Sequence, residues 1–284
     1  MISAYCIIQN SHGISTQKAF EDDNLKSLDL ANRLIPDGVY TTFRTFEKFQ
    51  VLDLEGHFDR LEGSARLLGR EFKFNRQAIR NALRELLKNF PAEEARVRIS
   101  IPFTTENQNR LQIYIFLEKL VIPSLHEYQN GVRVITIRMQ RENPAAKTTA
   151  FIHTADEIRR KLQNDINEAV MVDEKGRILE GLSSNFFAVK DGTIFTDDQH
   201  LLAGITRKHV LEIIQELAIP LRYEGFPYAE LKTLDEAFLT STSRGVLPVR
   251  QIDDQIIGRG MIGKITKKIM ERYQEKIQKA AQPI

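Results

Sequence analysis

Cysteine, tryptophan and long apolar runs are scarce or missing in this sequence of 284 residues. The single cysteine, Cys6, excludes a disulfide within the chain and a metal site built from several thiolates. Cys6 lies in a short apolar run, which predicts a buried strand thiol rather than a nucleophile. No stretch approaches the ~18–20 apolar residues of a membrane span, and the first residues lack the pattern of a secretory leader. We therefore expect a reducing, cytoplasmic setting and no membrane partner.

An excess of charge of one sign is missing as well. The chain has 40 basic and 38 acidic residues, a formal net charge of +2. No dense basic block with interleaved aromatic residues is present, so we expect no nucleic-acid partner. The length and the ordinary share of hydrophobic residues, 42%, fit one large globular domain or two modest ones.

Nucleotide and metal motifs fail when their context is considered. The stretch Gly258–Gly263 matches the G-x-G-x-x-G fingerprint, but only 21 residues follow it, too few for a nucleotide-binding half. Ile265 stands where a P-loop needs Ser or Thr. The six histidines show no metal-ligand spacing, so we expect no metal. We interpret Gly258–Gly263 as a glycine-rich turn before the last helix.

Periodicity predicts strands and helices in the N-terminal third. The β-branched and aromatic residues of Val39–Phe46 predict a strand. Apolar spacing predicts a helix over His57–Leu68 and a second helix whose first turn is capped by Asn75.

In the C-terminal half, Thr154 and Glu157 match a capping box and predict the start of a helix that extends through Ile166. Turn residues at 173–176 and 191–192 predict a meander of short antiparallel strands. Gly204 opens another predicted helix.

A short cluster of Pro, Ser, Asn and Gly predicts a connector at residues 121–131. It separates a predicted N-terminal domain, 1–120, from a C-terminal domain, 132–284. The expected fold class is α+β, with two mixed α/β domains.

Several separated segments carry residues suited to a phosphorylated pyridine aldehyde. Such a ligand needs an amine for its aldehyde, a carboxylate for its ring nitrogen, and cations or free N–H groups for its phosphate. Candidate segments are Gly56–Leu61, Asn143–Thr149, Glu180–Phe187, Leu202–Arg207 and Thr240–Val249.

In combination these segments resemble the class IV aminotransferases, fold-type IV enzymes that use pyridoxal 5′-phosphate (PLP). Glu180–Phe187 resembles the family signature E-G-x-x-S-N-x-F, and Gly56–Leu61 is similar to its H-x-x-R-L segment. The likeness extends from about Gly38 to the last helix. It implies a fold-type IV enzyme with a cofactor pocket between its two domains, and a homodimer.

The resemblance also implies roles for individual residues. Lys147 would join PLP covalently and serve as the catalytic base, and Glu180 would face the pyridine nitrogen. The phosphate would be bound by Arg60, Ile205, Thr206 and Thr242.

Substrate residues follow less directly from the resemblance. Tyr40 lies where the D-amino-acid branch has a carboxylate-binding tyrosine, yet Pro102 and Phe103 stand where that branch has its arginine and histidine. The branched-chain pattern also departs here, because Ile152 replaces its tyrosine. Candidates for binding the substrate are Tyr40, Arg44, Arg96, Arg98, Ser243 and Arg244.

The implied activity is transfer of an amino group between an amino acid, of D- or branched-chain type, and a 2-keto acid. One alternative is a lyase that releases 4-aminobenzoate and pyruvate from 4-amino-4-deoxychorismate, because Ser243-Arg244-Gly245 has some likeness to that branch. Another is a PLP-binding protein without turnover.

Overall fold

The computed structural model describes residues 2–10, 13–20, 25–103, 110–163 and 165–284. Its helices are α1 Leu28–Asn32, α2 Leu54–Leu67, α3 Arg76–Lys88, α4 Leu125–Asn130, α5 Thr149–Arg159, α6 Ile205–Glu216 and α7 Lys264–Ala280, with a 3-10 helix at Tyr228–Thr233. The strands are β1 Ile2–Asn10, β2 Gly13–Phe20, β3 Gly38–Arg44, β4 Gln50–Leu52, β5 Ala95–Pro102, β6 Leu111–Lys119, β7 Val132–Arg138, β8 Ile166–Val172, β9 Arg177–Gly181, β10 Asn185–Lys190, β11 Thr193–Phe195, β12 Leu221–Arg222, β13 Phe226–Pro227, β14 Glu236–Ser241, β15 Gly245–Ile252, β16 Gln255–Ile256 and β17 Ala281–Pro283.

Residue contacts divide the chain into two compact units. The first comprises residues 1–121, 146–154 and 280–284, and the second comprises 122–145 and 155–279. The segment 146–154, which contains Lys147, therefore belongs to the first unit, although it follows the predicted connector.

The first unit is built on an antiparallel sheet in the order β2-β1-β6-β5-β3. Its core lies where α2 and α3 bury their apolar faces, represented by Phe58, Leu61, Ile79 and Leu83, which are fully buried. The side chain of Asn75 accepts a hydrogen bond from the Ala78 amide at 3.0 Å and caps α3, as the sequence predicts.

The second unit contains a larger mixed sheet in the order β12-β11-β10-β14-β15-β7-β8-β9-β13, with β16 on β15. β9 also pairs with β10 through Glu180 and Asn185, which closes six of these strands into a ring. Most neighbours are antiparallel, but β7 lies parallel to both β15 and β8. Its core includes the fully buried residues Val134, Val170 and Leu247.

The predicted α+β class is confirmed, and so are the β3 strand, the α2 helix and the glycine-rich turn before α7. The predicted capping box is wrong. Thr154 lies inside α5, which begins at Thr149 and ends at Arg159, while Ile166 begins β8. The predicted connector contains α4, which begins with a capping box of Ser124 and Glu127. Among the residues described, no helix combines the length and apolar character needed to cross a membrane.

Candidate active site

The backbone around Lys147 is fixed on both sides within the first unit. The Lys147 amide donates to Ser64 Oγ on α2 at 3.1 Å, and the Lys147 carbonyl accepts from the Tyr40 amide on β3 at 3.1 Å. Thr148 adds a bridge to Val39. Two residues after the lysine, Thr149 Oγ1 accepts from the Gly38 amide at 2.8 Å. The segment is thus attached to the edge strand of the sheet like a short extra strand, and the lysine is carried on a fixed backbone.

The Lys147 side chain is half-buried over an aromatic face. Its Nζ lies 4.6 Å from the centroid of the Tyr40 ring, within the range of a cation–π contact. On the same ring, Cζ of Arg98 lies 4.9 Å from the centroid. Tyr40 itself is 9% exposed, so its ring is held in place by packing. The contact with this ring orients the lysine amine.

Arg60 is a cation that no carboxylate of the described residues neutralises by an ion pair. Its Nη2 donates to Thr41 Oγ1 at 2.7 Å and to His57 Nδ1 at 3.2 Å, while its Nε is buried without a hydrogen-bond partner among the residues described. A guanidinium only donates, so Nδ1 of His57 accepts here. Burial lowers the pKa of Arg60 to about 10, although Tyr40 and Asp53 oppose the shift. A partly buried cation of this kind suits an anionic ligand.

Glu180 is a buried carboxylate at the end of β9, 2% exposed. Its Oε2 accepts from Asn185 Nδ2 and from the Leu202 amide, each at 3.2 Å, and its Oε1 lies 3.2 Å from Arg141 Nε. Asn185 Nδ2 also donates to the Leu202 carbonyl at 2.8 Å. The carboxylate is therefore held rigidly, with one compensating cation, at the point where β9 and β10 meet.

The N-terminus of α6 lies directly beyond this cluster in the second unit. Gly204 is the N-cap and supplies no side-chain cap, and the first turn contains no acidic residue. A Cβ at Gly204 would lie 2.2 Å from Asn185 Oδ1, so only glycine fits. The amides of Ile205 and Thr206 have no acceptor within the helix, which makes this end a place for an anion.

Thr242 occupies the tight turn between β14 and β15 and is half-buried. Two residues earlier, Thr240 is 1% exposed, and its Oγ1 has no hydrogen-bond partner among the residues described. Thr240 pairs with Asn185, which pairs with Glu180, so these three side chains share one face of the sheet.

The arginines predicted to bind a substrate carboxylate all have carboxylate partners already. The shortest N–O distances in these pairs are 2.7 Å for Arg44–Glu94, 2.7 Å for Arg96–Glu118, 2.6 Å for Arg98–Asp29 and 2.8 Å for Arg244–Glu168. A substrate carboxylate would have to displace these partners. Ser243 lies in the same turn as Arg244 and is half-buried.

Comparison with known proteins decides the family. The model of the family "Amino-transferase class IV" matches residues 38–252. The chain belongs to the class IV aminotransferases. It is therefore an aminotransferase, and the cofactor of this family is PLP.

The similarity to curated class IV aminotransferases extends over most of the chain. A branched-chain-amino-acid aminotransferase of Pseudomonas aeruginosa is 27% identical over 253 residues, 83% of this chain and 82% of that protein. A D-alanine aminotransferase of Staphylococcus epidermidis is 27% identical over 271 residues, 91% and 94% of the two chains. The solved branched-chain aminotransferase of Escherichia coli shares the fold, with a TM-score of 0.78, 22% identity and coverage of 96% and 94%.

The residues of this chain fit PLP. In the first unit, Arg60 offers a partly buried cation and Lys147 an oriented amine. In the second unit, Glu180 offers a fixed carboxylate and α6 an open N-terminus. Sequence reasoning missed Arg141, Glu168 and Thr240, because each gains its place through partners that are distant in sequence.

Proposed function

We propose that this aminotransferase moves an amino group between a branched-chain or D-amino acid and a 2-keto acid, with Lys147 as the residue that binds PLP covalently. The observation that carries this assignment is the attachment of Lys147 to β3 and α2 through both of its peptide groups. Such a fixed backbone is what a reactive amine needs if it is to return to the same atom in every cycle.

The other proposed cofactor residues are assigned to the phosphate or to the ring nitrogen of PLP according to their chemistry. We assign the phosphate to Arg60, which has no ion-pair partner among the described residues, and to the α6 amides of Ile205 and Thr206, which have no acceptor within the helix. The hydroxyls of Thr206 and Thr242 add donors. Glu180 faces the ring nitrogen and holds its proton, since Asn185, Leu202 and Arg141 keep this carboxylate in one orientation.

When bound, PLP withdraws electrons from the α-carbon of the amino acid. Lys147 Nζ, once the amino group of the substrate has displaced it from the cofactor, would take up the α-proton and later release it, so one amine would serve as both base and acid. Glu180 supports the reaction by stabilising the positive charge on the ring nitrogen. Tyr40 orients the Lys147 amine by its ring and is the first candidate to contact the substrate carboxylate.

Both relatives described above match equally well in identity, and one acts on branched-chain and the other on D-amino acids by name. A donor screen separates the two. PLP-loaded enzyme is mixed with single L- and D-amino acids, and loss of the visible absorbance of the lysine-bound cofactor is followed. We expect branched-chain L-amino acids or D-amino acids to abolish this absorbance. If no amino acid of either class abolishes it, the proposal is wrong.

The lysine assignment has a direct chemical test. Borohydride reduction of the loaded enzyme followed by peptide mass mapping should find the cofactor on Lys147. Lys147→Ala should lose the visible band, whereas Lys190→Ala, a surface lysine paired with Glu230, should keep it. Cofactor found on another lysine would refute the assignment.

The relatives described above are aminotransferases, and they give no support to the lyase alternative. Pyruvate release from aminodeoxychorismate, measured beside keto-acid-dependent amino transfer, tests that choice.

We also propose a homodimer in the cytoplasm. Sedimentation equilibrium of the loaded enzyme tests the dimer, and a monomeric mass would contradict it.

A further inference from the structure

Glu168 is a charged residue in one of the most buried positions of the second unit. It lies on β8 and is 1% exposed. Its Oε2 accepts from Ser183 Oγ at 2.7 Å, from Ser184 Oγ at 3.2 Å and from Arg244 Nη2 at 2.8 Å. Burial alone would raise the pKa of Glu168, but the Arg244 guanidinium and these hydrogen bonds hold it below its usual value. The carboxylate is therefore ionised.

The partners of Glu168 come from two different turns. Ser183 and Ser184 form the turn between β9 and β10, the strands that present Glu180 and Asn185. Arg244 belongs to the turn between β14 and β15, which also contains Thr242. One carboxylate thus ties the turn that follows Glu180 to the turn that contains Thr242.

The first turn is packed directly against the Glu168 side chain. A Cβ on Gly181 would lie 2.4 Å from Ser184 Oγ and 2.9 Å from Glu168 Cγ. Only glycine allows the chain to pass this close to the Glu168 side chain.

The Arg244 guanidinium donates hydrogen bonds from all three of its nitrogens within the second unit. Its Nη1 donates to Asn167 Oδ1 at 2.8 Å, and its Nη2 donates to Ser183 Oγ at 3.0 Å as well as to Glu168. Its Nε donates to Ser241 Oγ at 3.1 Å, and its carbonyl accepts from the Tyr128 hydroxyl at 2.7 Å. All three guanidinium nitrogens are thus committed to the protein.

We propose that Glu168 is a positioning residue for PLP: through Ser183, Ser184 and Arg244 it fixes the two turns that place Glu180 and Thr242. Arg244 acts as its counter-ion and not as a ligand of the substrate carboxylate. This inference rests on the proposed function, because it assumes that Glu180 and Thr242 contact PLP.

The test compares Glu168→Gln, Arg244→Gln and the double variant by titration of apoprotein with PLP. Glu168→Gln keeps the shape and removes the charge, and we expect cofactor binding to weaken about tenfold or more. Each single variant leaves the other member of the pair without its ionic partner. The loss of PLP affinity in the double variant should therefore be smaller than the product of the losses in the two single variants. Glu230→Gln, in a surface pair with Lys190, is the matched control and should bind PLP normally.

Three outcomes overturn the inference. A purely structural role predicts lower melting temperatures with unchanged PLP affinity in Glu168→Gln. A substrate role for Arg244 predicts a raised KM in Arg244→Gln with PLP affinity unchanged. If Glu168→Gln does not fold, Glu168→Asp, which keeps the charge but shortens its reach, decides by the same titration, and normal affinity contradicts the proposal. Wild-type protein that binds no PLP would instead refute the proposed function itself.

Discussion

At the scale of single residues, local sequence signals predicted candidate reactive groups but not the partners of those groups in the fold. Lys147 and Glu180 stand in recognisable motifs. The pairing of Glu180 with Arg141 joins positions 39 residues apart, and no local pattern reports it. The same holds for Arg98, whose bond to Asp29 depends on how α1 meets the sheet. Spacing along the chain predicts which residues share a face of one element, whereas contacts between elements follow only from the fold.

The uncompensated charge of Arg60 gives a residue-scale prediction. Replacing Arg60 by Met removes a partly buried cation that has no carboxylate partner in ion-pair contact among the described residues. We expect the apoprotein to be as stable as wild type or more stable, because burying an unpaired charge is unfavourable. PLP affinity should nevertheless fall by about tenfold or more, since the phosphate loses a charged donor.

Thermal melting of the apoprotein and PLP titration measure the two effects separately. Arg80→Met, which removes an arginine that pairs with Glu55 on the surface, is the control. Equal losses of stability and PLP affinity in Arg60→Met would show that Arg60 acts through folding alone.

Asp173 supplies a prediction about pH. Burial by itself would raise its pKa, but hydrogen bonds from the Arg177 amide and guanidinium, both at 2.8 Å, lower it. The folded-state pKa therefore lies below the unfolded value of about 3.9. The stabilisation is complete above that value and is lost as the pH falls through the folded pKa.

We expect Asp173→Asn to cost about 1–3 kcal/mol at neutral pH and to approach the wild type in strong acid. Urea unfolding at several pH values measures this. Asp191→Asn, in an exposed turn, should change little at any pH. A difference between Asp173→Asn and wild type that stays constant down to strong acid would contradict the assigned cause.

At the scale of elements, sequence patterns succeeded where an element is defined by its own residues. Asn75 caps α3 through a bond to Ala78, three residues away, and was predictable for that reason. The predicted start of a helix at Thr154 failed because α5 begins five residues earlier, at Thr149. There the hydroxyl of Thr149 bonds to Gly38 and Asp37 on a distant part of the chain. Tertiary contacts therefore set the start of α5. Thr154 lies inside this helix, where no helix N-terminus is present for it to cap.

The N-terminus of α6 yields a prediction for a whole element. Gly204→Ala places a Cβ 2.2 Å from Asn185 Oδ1, so Asn185 or the start of α6 must move. Since Asn185 also holds Glu180, we expect PLP affinity to fall about tenfold or more.

Gly63→Ala, a helical glycine whose added Cβ meets nothing within 4 Å, is the matched control. It should stabilise the protein by about 0.5–1 kcal/mol and leave PLP affinity unchanged. Titration of both variants with PLP and their urea unfolding curves provide the comparison. Normal affinity in Gly204→Ala would argue against phosphate binding at this helix.

At the scale of the whole molecule, the mixed α+β class followed from the alternation of patterns, but the organisation of the chain did not. The first unit includes two short segments from later in the chain, residues 146–154 and 280–284. Changes of composition along the chain cannot predict that a later segment packs with an earlier unit. The consequence for function is that the segment containing Lys147, the residue proposed to hold PLP, folds with the first unit although it follows the predicted connector. PLP binding should therefore stabilise the folded protein.

Binding linkage turns this into a measurable prediction. A ligand that binds only the folded state stabilises it by about 2.7 kcal/mol when its free concentration is 100-fold above its Kd. We therefore expect the melting temperature to rise with PLP concentration. Pyridoxal, which lacks the phosphate, should raise it much less, because it cannot use Arg60 or the N-terminus of α6. In Arg60→Met the two ligands should differ less than in wild type. Equal shifts with PLP and pyridoxal in the wild-type protein would show that neither group binds the phosphate, even if Lys147 still captures the aldehyde.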